Sequence, residues 1–296
     1  MSGVNSVATL NLTGGAATAN ALNLGVSGNE TGASAALTGS ASADFASVKN
    51  GSSSNTGGSL TLNTTGTVAL GTVTLDRDAG ANTTQNPAGG LIVNGGTVTA
   101  ASLWAASSVG SRASDINLNG GSLTIGTSAS TGAFKLATGS GNGALTMTGG
   151  SLTYLGADGL LLGDNAAASS TLASITGAGS VATLSGITLN AINSATATSR
   201  FTLGGGATLY LGGGGLVVNH PGPNVGATFG TATVGALDPA DQARLALPAL
   251  SESPQLGELV RRRSFLQRHQ ADTAHRADRR PAIAILTRHD GRASKG

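Results

Sequence analysis

Paired glycines recur along this chain at a near-constant interval, each flanked by alternating apolar and small polar residues. No other feature constrains the fold as tightly. The phrase INLNGGSLTIG runs from Ile116 to Gly126, and relatives of it begin at Leu91 (LIVNGGTVTA), Leu145 (LTMTGGSLTYLG) and Phe201 (FTLGGGATLYLG). Aligned on the glycine pair, consecutive units start at Leu91, Ile116, Ala144, Thr171 and Arg200, about 25 to 29 residues apart. That interval lies within the range of solenoid repeats. The unit from Thr171 carries ITGAGSVATL, with an extra residue before Ser180. ATLNLTGGAATANALNLG, from Ala8, is the same unit in smaller side chains, and the stretch from Ala35 to Gly90 is the most degenerate.

Period-two alternation dictates what each phrase builds. Successive strand residues point to opposite faces, so Ile116 and Leu118 share one side and Asn117 and Asn119 the other. After the corner, Leu123 and Ile125 point inward, and Ser122 and Thr124 outward. Gly-Gly permits an abrupt corner without a Cβ clash. A third short apolar stretch follows in each unit: SLWAAS, AFKLAT, GLLLGD, GITLNA. One unit cannot bury its apolar face, but stacked units can, each strand pairing with its copy about 4.8 Å away. Three short strands per unit predict a right-handed parallel β-helix over residues 1–235. About eight such coils would span roughly 40 Å. Leu118, Leu123, Met147, Leu152, Leu203 and Leu209 are expected inside. Asn94, Asn119 and Thr148 are expected to stack as a ladder between coils, and Trp104 to occupy a core or corner position.

Composition agrees with a solenoid and excludes several classes. Among 296 residues there are 47 glycines, 10% charged residues and 3% aromatics, against about 25% charged and about 7% Gly in average proteins. No collagen-like triplet accompanies the glycine. The absence of cysteine removes disulfides, thiolate metal sites and thiol chemistry. No apolar run approaches the roughly 20 residues of a membrane-spanning helix. The opening MSGVNSVATLNLTGG has neither a basic region nor a continuous apolar run, so it does not read as a signal peptide. An exported protein would be represented here by a fragment, or without its leader.

The units GGTVTA, GGSLTIG, GGSLTYLG and GGATLYLGGGGLVV, with Asn- and Thr-rich strands between them, resemble the autotransporter-associated β-strand repeat proteins. These are large surface or secreted bacterial proteins with β-helical passenger regions. The resemblance covers roughly Ser2 to Gly235 and is best from Leu91 to Val234. It implies export and exposure at the cell surface or in the extracellular space, sometimes with adhesive roles, and the chain is accordingly expected to be a structural or adhesive stalk segment. A host or environmental surface, or a polysaccharide, would be the partner. The chain lacks the series of alternating strands of roughly 10 residues that a membrane β-barrel needs, and it lacks a Pro-Glu-Pro sorting signal. Membrane association is therefore expected only through a translocator or anchor outside it.

Composition changes near Ala236. Up to Gly235 there are five basic residues and seven acidic ones; beyond it there are eleven and seven, and only three glycines. Residues 236–296 are expected to form a basic tail, helical or disordered. One helix would start at LDPADQARLAL, with Asp238 as N-cap and Pro239 at the first helical position. Another would place Leu256, Leu259 and Val260 on one face. The tail is expected to add little to the stability of the solenoid; the alternative is that this face covers the last coil, since an uncovered end invites end-to-end self-association. Arg261 to Arg263 raise phosphate contacts with nucleic acid as a reading. Interspersed acids and the lack of aromatics beyond Phe265 weigh against it, and no nucleic-acid partner is expected. A solvated tail is the default, and a change of reading frame is the third reading.

Parallel β-helices also carry polysaccharide lyases and hydrolases, the alternative class for this chain. Those enzymes need carboxylates clustered on one face. The candidates are Asp76, Asp78, Asp115, Asp158 and Asp164, which do not recur at one place in the repeat, so turn positions are the expected role. GLLLGDNAA lacks the calcium-binding nonapeptide pattern. The glycines from Gly204 to Gly215 lack the Gly-Lys-Ser/Thr of a phosphate loop. His220, the only histidine before the tail, has no nucleophile elbow beside it. Catalytic residues, cofactors and metals are accordingly expected to be none. Flat solenoid faces bearing Thr-x-Thr can order water into ice. Here TVT at Thr72 to Thr74 and Thr97 to Thr99, and TMT at Thr146 to Thr148, fall at different places in their units. On that ground no regular array is expected.

Overall fold

The computed structural model describes residues 7–24, 32–50, 58–75, 89–105, 113–126, 132–137, 142–164, 170–219 and 224–236. All lie within the first of two units into which the chain divides, 1–251 and 252–296. The helices expected from Asp238 and around Leu256 fall outside the described residues, as do Asp76, Asp78 and His220.

Every described element is a strand, and each pass of the chain repeats the same course. The first pass is β1 (Val7–Leu12), β2 (Ala16–Ala19) and β3 (Leu22–Leu24). In the second and third, the last two strands fuse: β4 (Gly32–Gly39) with β5 (Ser42–Asn50), then β6 (Gly58–Thr64) with β7 (Thr67–Leu75). Three separate strands return in β8 (Gly89–Val93), β9 (Thr97–Ala100) and β10 (Ser102–Ala105), in β11 (Ala113–Leu118), β12 (Ser122–Ile125) and β13 (Phe134–Leu136), and in β14 (Asn142–Met147), β15 (Ser151–Tyr154) and β16 (Leu160–Leu162). β17 (Ser170–Ile175) with β18 (Val181–Leu189) and β19 (Thr198–Leu203) with β20 (Ala207–Val218) are fused passes. β21 (Val225–Phe229) and β22 (Ala232–Ala236) close the described stack.

All pairings among these strands are parallel and join one pass to its neighbours. β1, β4, β6, β8, β11, β14, β17, β19 and β21 form one nine-stranded sheet. The strands after the corner form a second sheet, bent wherever the chain turns between its two halves. The fold is thus a parallel β-solenoid with three strand positions per coil, as the alternation predicts. Even the degenerate stretch from Ala35 to Gly90 builds full coils through β4 to β7.

Register is set by the columns that point inward. Leu62, Val93, Leu118, Met147, Ile175 and Leu203 align from coil to coil. All six predicted inward residues are buried, Leu118, Leu123, Met147, Leu152, Leu203 and Leu209 being at most 1% exposed. Full burial of a side chain of this size stabilises by roughly 1.5–3 kcal/mol. At the ends of the described stack these columns lose a neighbour: Leu10 is 46% exposed, Phe229 42% and Val234 51%.

The corner explains the glycine pair. The Asn119 and Gly120 amides donate to the Val93 carbonyl at 2.8 and 3.2 Å, and the Ser122 amide donates to the Gly96 carbonyl at 2.9 Å. Turns therefore stack at backbone hydrogen-bonding distance. A Cβ on Gly120 would lie 2.6 Å from the Asn94 carbonyl oxygen, and one on Gly121 2.6 Å from that of Gly96. Gly121 also has φ of +70°, a left-handed conformation that side chains resist. The first glycine serves close approach; the second serves both close approach and handedness.

Two details differ from the expectation. The register equivalents of Leu91 are Ile116, Leu145, Ala173 and Phe201, so the later units start one or two residues beyond the positions read from the glycines. In the β17–β18 corner, Ile175 matches Met147 and Val181 matches Ser151. That turn is two residues longer than its neighbour, not one. Ser180 is consequently buried and Val181 takes the outward slot of a hydroxyl residue. Buried columns, not the identity of the turn residue, decide the alignment.

Asparagines close other corners. Asn50 replaces an apolar residue in an inward column and is 2% exposed. Its Oδ1 accepts from the Gly58 amide at 2.6 Å, and its Nδ2 donates to the Gly58 carbonyl. Asn190 holds the Ser194 backbone through both side-chain atoms, at 2.7 and 2.9 Å. Each buried amide is satisfied, as burial of a polar group demands.

Candidate binding face

The face that follows the glycine corner is the most regular outer surface among the described residues. Its outward positions form two columns. In the first, Thr67, Thr97, Ser122 and Ser151 are in register across consecutive coils. In the second, Thr99, Thr124, Thr153 and Thr183 align in the same way. Between the columns Val98, Leu123 and Leu152 point inward and are wholly buried, which fixes the backbone beneath the hydroxyls.

Spacing follows from strand geometry. Neighbours within a column lie about 4.8 Å apart, and residues two apart along a strand about 6.6 Å. The columns are interrupted by Asp44 and Ala69 toward one end and by Val181 and Tyr210 toward the other. Val181 intrudes because of the longer corner before it. From Thr97 to Thr183 the two columns hold no charged residue.

A polar ladder borders this face at the corner. Asn119 Nδ2 donates to Asn94 Oδ1 at 2.9 Å, and Thr148 Oγ1 donates to Asn119 Oδ1 at 2.9 Å. This is the ladder expected from the repeat. The hydroxyls of Thr97, Thr99, Ser122, Thr124, Ser151 and Thr153 differ: among the described residues none bonds to a protein group. Their capacity to donate and accept faces outward.

Behind the face sits Tyr154, fully buried on β15. Its hydroxyl donates to the Gly132 carbonyl at 2.7 Å, and its ring meets Phe134 edge-on at 5.7 Å. Burial, aided by the charge of nearby Asp158, pushes the phenol pKa above its ordinary value of 10.0, against a lowering by a backbone hydrogen bond. The group stays neutral at physiological pH.

The carboxylates of the described residues are dispersed. Asp115 lies on β11 in the nine-stranded sheet, in register with Gly90 and Ala144. Asp158 is exposed in the turn before β16. Asp164 follows β16 and pairs with Lys135 at 2.8 Å, both side chains about a quarter exposed (24% and 30%). An ion pair of this kind contributes about 0–1 kcal/mol. Among the described residues no three His, Cys, Asp or Glu side chains gather as a metal site. Gly204 to Gly206 form a corner, and the glycines up to Gly215 lie in β20. Gly205 and Gly206 have positive φ, and a Cβ on Gly205 would overlap the Thr176 carbonyl.

Trp104 departs from its expected core or corner place. It points outward from β10, between Thr74 and Lys135, and is half-buried. Its indole nitrogen is buried without a partner among the described residues.

The three threonine triplets do fall on three different faces: Thr72 to Thr74 on β7, Thr97 to Thr99 on β9, and Thr146 on β14. A regular array nevertheless exists. Its other members are Ser122-Leu123-Thr124 and Ser151-Leu152-Thr153, which a search for identical triplets passes over.

No family model, no curated protein and no solved structure matches this chain.

Proposed function

We propose that this chain is a structural or adhesive stalk segment of an exported bacterial surface protein. It acts by presenting a surface, not by turning over a substrate. The observation that carries the reading is the uncharged, in-register hydroxyl face, set on a stack of coils whose described carboxylates are dispersed among separate positions. Such a scaffold repeats one binding unit along its length, which suits attachment to an extended partner. The resemblance of the glycine-paired units to autotransporter-associated β-strand repeats supports exposure at the cell surface.

The test has two arms. Antibody raised against residues 89–219 is expected to label intact, unpermeabilised cells of the source bacterium; labelling confined to lysed cells would refute surface exposure. Purified protein is expected to leave common polysaccharides uncleaved. Turnover abolished by Asp158→Asn or Asp164→Asn would establish a carbohydrate-active enzyme on the same scaffold instead.

A further inference from the structure

We infer that the hydroxyl face of β9, β12 and β15 is an ice-binding surface. The inference goes beyond the stalk reading and does not need it.

Four observations converge on ordered water as the ligand. The first is two-dimensional order. Thr97 and Thr99, Ser122 and Thr124, and Ser151 and Thr153 form a two-by-three lattice, with repeats of about 4.8 Å across strands and about 6.6 Å along them. The repeat across the strands lies close to an oxygen–oxygen repeat of the ice lattice. An irregular ligand would not call for periodicity in both directions.

The second is rigidity. The side chains between the two columns, Val98, Leu123 and Leu152, are wholly buried, and the corners beside them are locked by the backbone bonds from the Ser122 and Ser151 amides to the turn below, each 2.9 Å. β-Branched threonine has restricted χ1 freedom. A surface already fixed loses little entropy when water adopts its spacing.

The third is chemistry. Each threonine offers a hydroxyl that both donates and accepts, beside a methyl group over which water can close a cage. Among the described residues these hydroxyls have no protein partner, so their bonding capacity remains for water.

The fourth is the absence of charge between Thr97 and Thr183 in both columns. Ionised groups would orient water against the lattice. Among the described residues the same face lacks the aromatic platform that a crystalline polysaccharide would stack upon, its one aromatic there being Tyr210 beyond the regular region.

The experiment uses the full-length chain, fluorescently labelled, frozen slowly against a cold finger, with ice recrystallisation followed in parallel. Enrichment in the ice fraction and suppressed crystal growth are expected. Thr124→Lys, at the centre of the lattice, is expected to lose most of both effects. Thr146→Lys, outward on the nine-stranded sheet, is expected to retain them. Circular dichroism confirms that each variant is folded, and Thr153→Lys replaces Thr124→Lys if the latter is not. Exclusion of the folded wild-type protein from ice overturns the inference. So does equal partitioning of the Thr124→Lys and Thr146→Lys proteins, or retention on crystalline cellulose or chitin with none on ice. None of these results bears on surface exposure, which the antibody test decides separately.

Discussion

At the scale of single residues, the corner glycines separate two costs that usually arrive together. Gly121 and Gly179 both have positive φ, +70° and +81°. A Cβ on Gly121 would strike the turn below, whereas one on Gly179 would meet nothing within 4 Å. Gly179→Ala should therefore cost only the left-handed strain, about 1–2 kcal/mol. Gly121→Ala should cost more, because the stacked turn must also shift; thermal melts of the two variants make the comparison. Tyr154 gives a second prediction. Its folded pKa is raised by burial, so the folded state holds the proton more tightly than the unfolded one. The associated stability is fully present below the ordinary value of 10.0 and is lost as pH rises through the folded value. Tyr154→Phe should cost about 0.5–1.5 kcal/mol at neutral pH for the lost hydrogen bond to Gly132. It should also flatten the decline of stability above pH 10.0, read as denaturation midpoints across that range.

At the scale of elements, each strand is held by the column it belongs to. Leu118 on β11 is fully buried between Val93 and Met147 of the adjacent coils. Leu118→Ala should destabilise by about 2–5 kcal/mol, as large-to-small core changes do, and the shift in urea midpoint measures it. The inward set was legible in the sequence because burial imposes period two on a strand and glycine marks where the period restarts. Two things were not legible from the same rule. The corner before β18 reads as one residue too long when Ser180 is matched to Ser151, yet the structure aligns Val181 there. Apolar pairing of Ile175 and Ala182 outweighs the resemblance of turn residues. The candidate face was present in the alternation as outward Ser and Thr, but its continuity depends on register between coils. Serine and threonine occupy equivalent slots there without being identical letters. Trp104 shows the converse: a large apolar residue in a strand reads as core, whereas its slot in the pattern of β10 points outward.

At the scale of the whole molecule, stability is a sum of coil-to-coil terms. Residues beyond Ala236 lie after the last strand of the described stack. Truncation after Gly235 is expected to leave the melting temperature nearly unchanged and the protein monomeric by size-exclusion chromatography. A much lower melt or immediate association would mean that the tail covers the end at which Phe229 and Val234 are exposed. The pairing pattern also has a mechanical consequence. Each first-sheet strand bonds to counterparts between 25 and 31 residues away in sequence, as in Leu91 with Ile116 and Ser59 with Gly90, so load applied at the two chain ends meets the coils in series. Under tension the stack would peel from its ends rather than break at once. Each lost coil would lengthen the tether by roughly 90 Å at about 3.4 Å per residue, giving a force trace of many small, nearly equal steps.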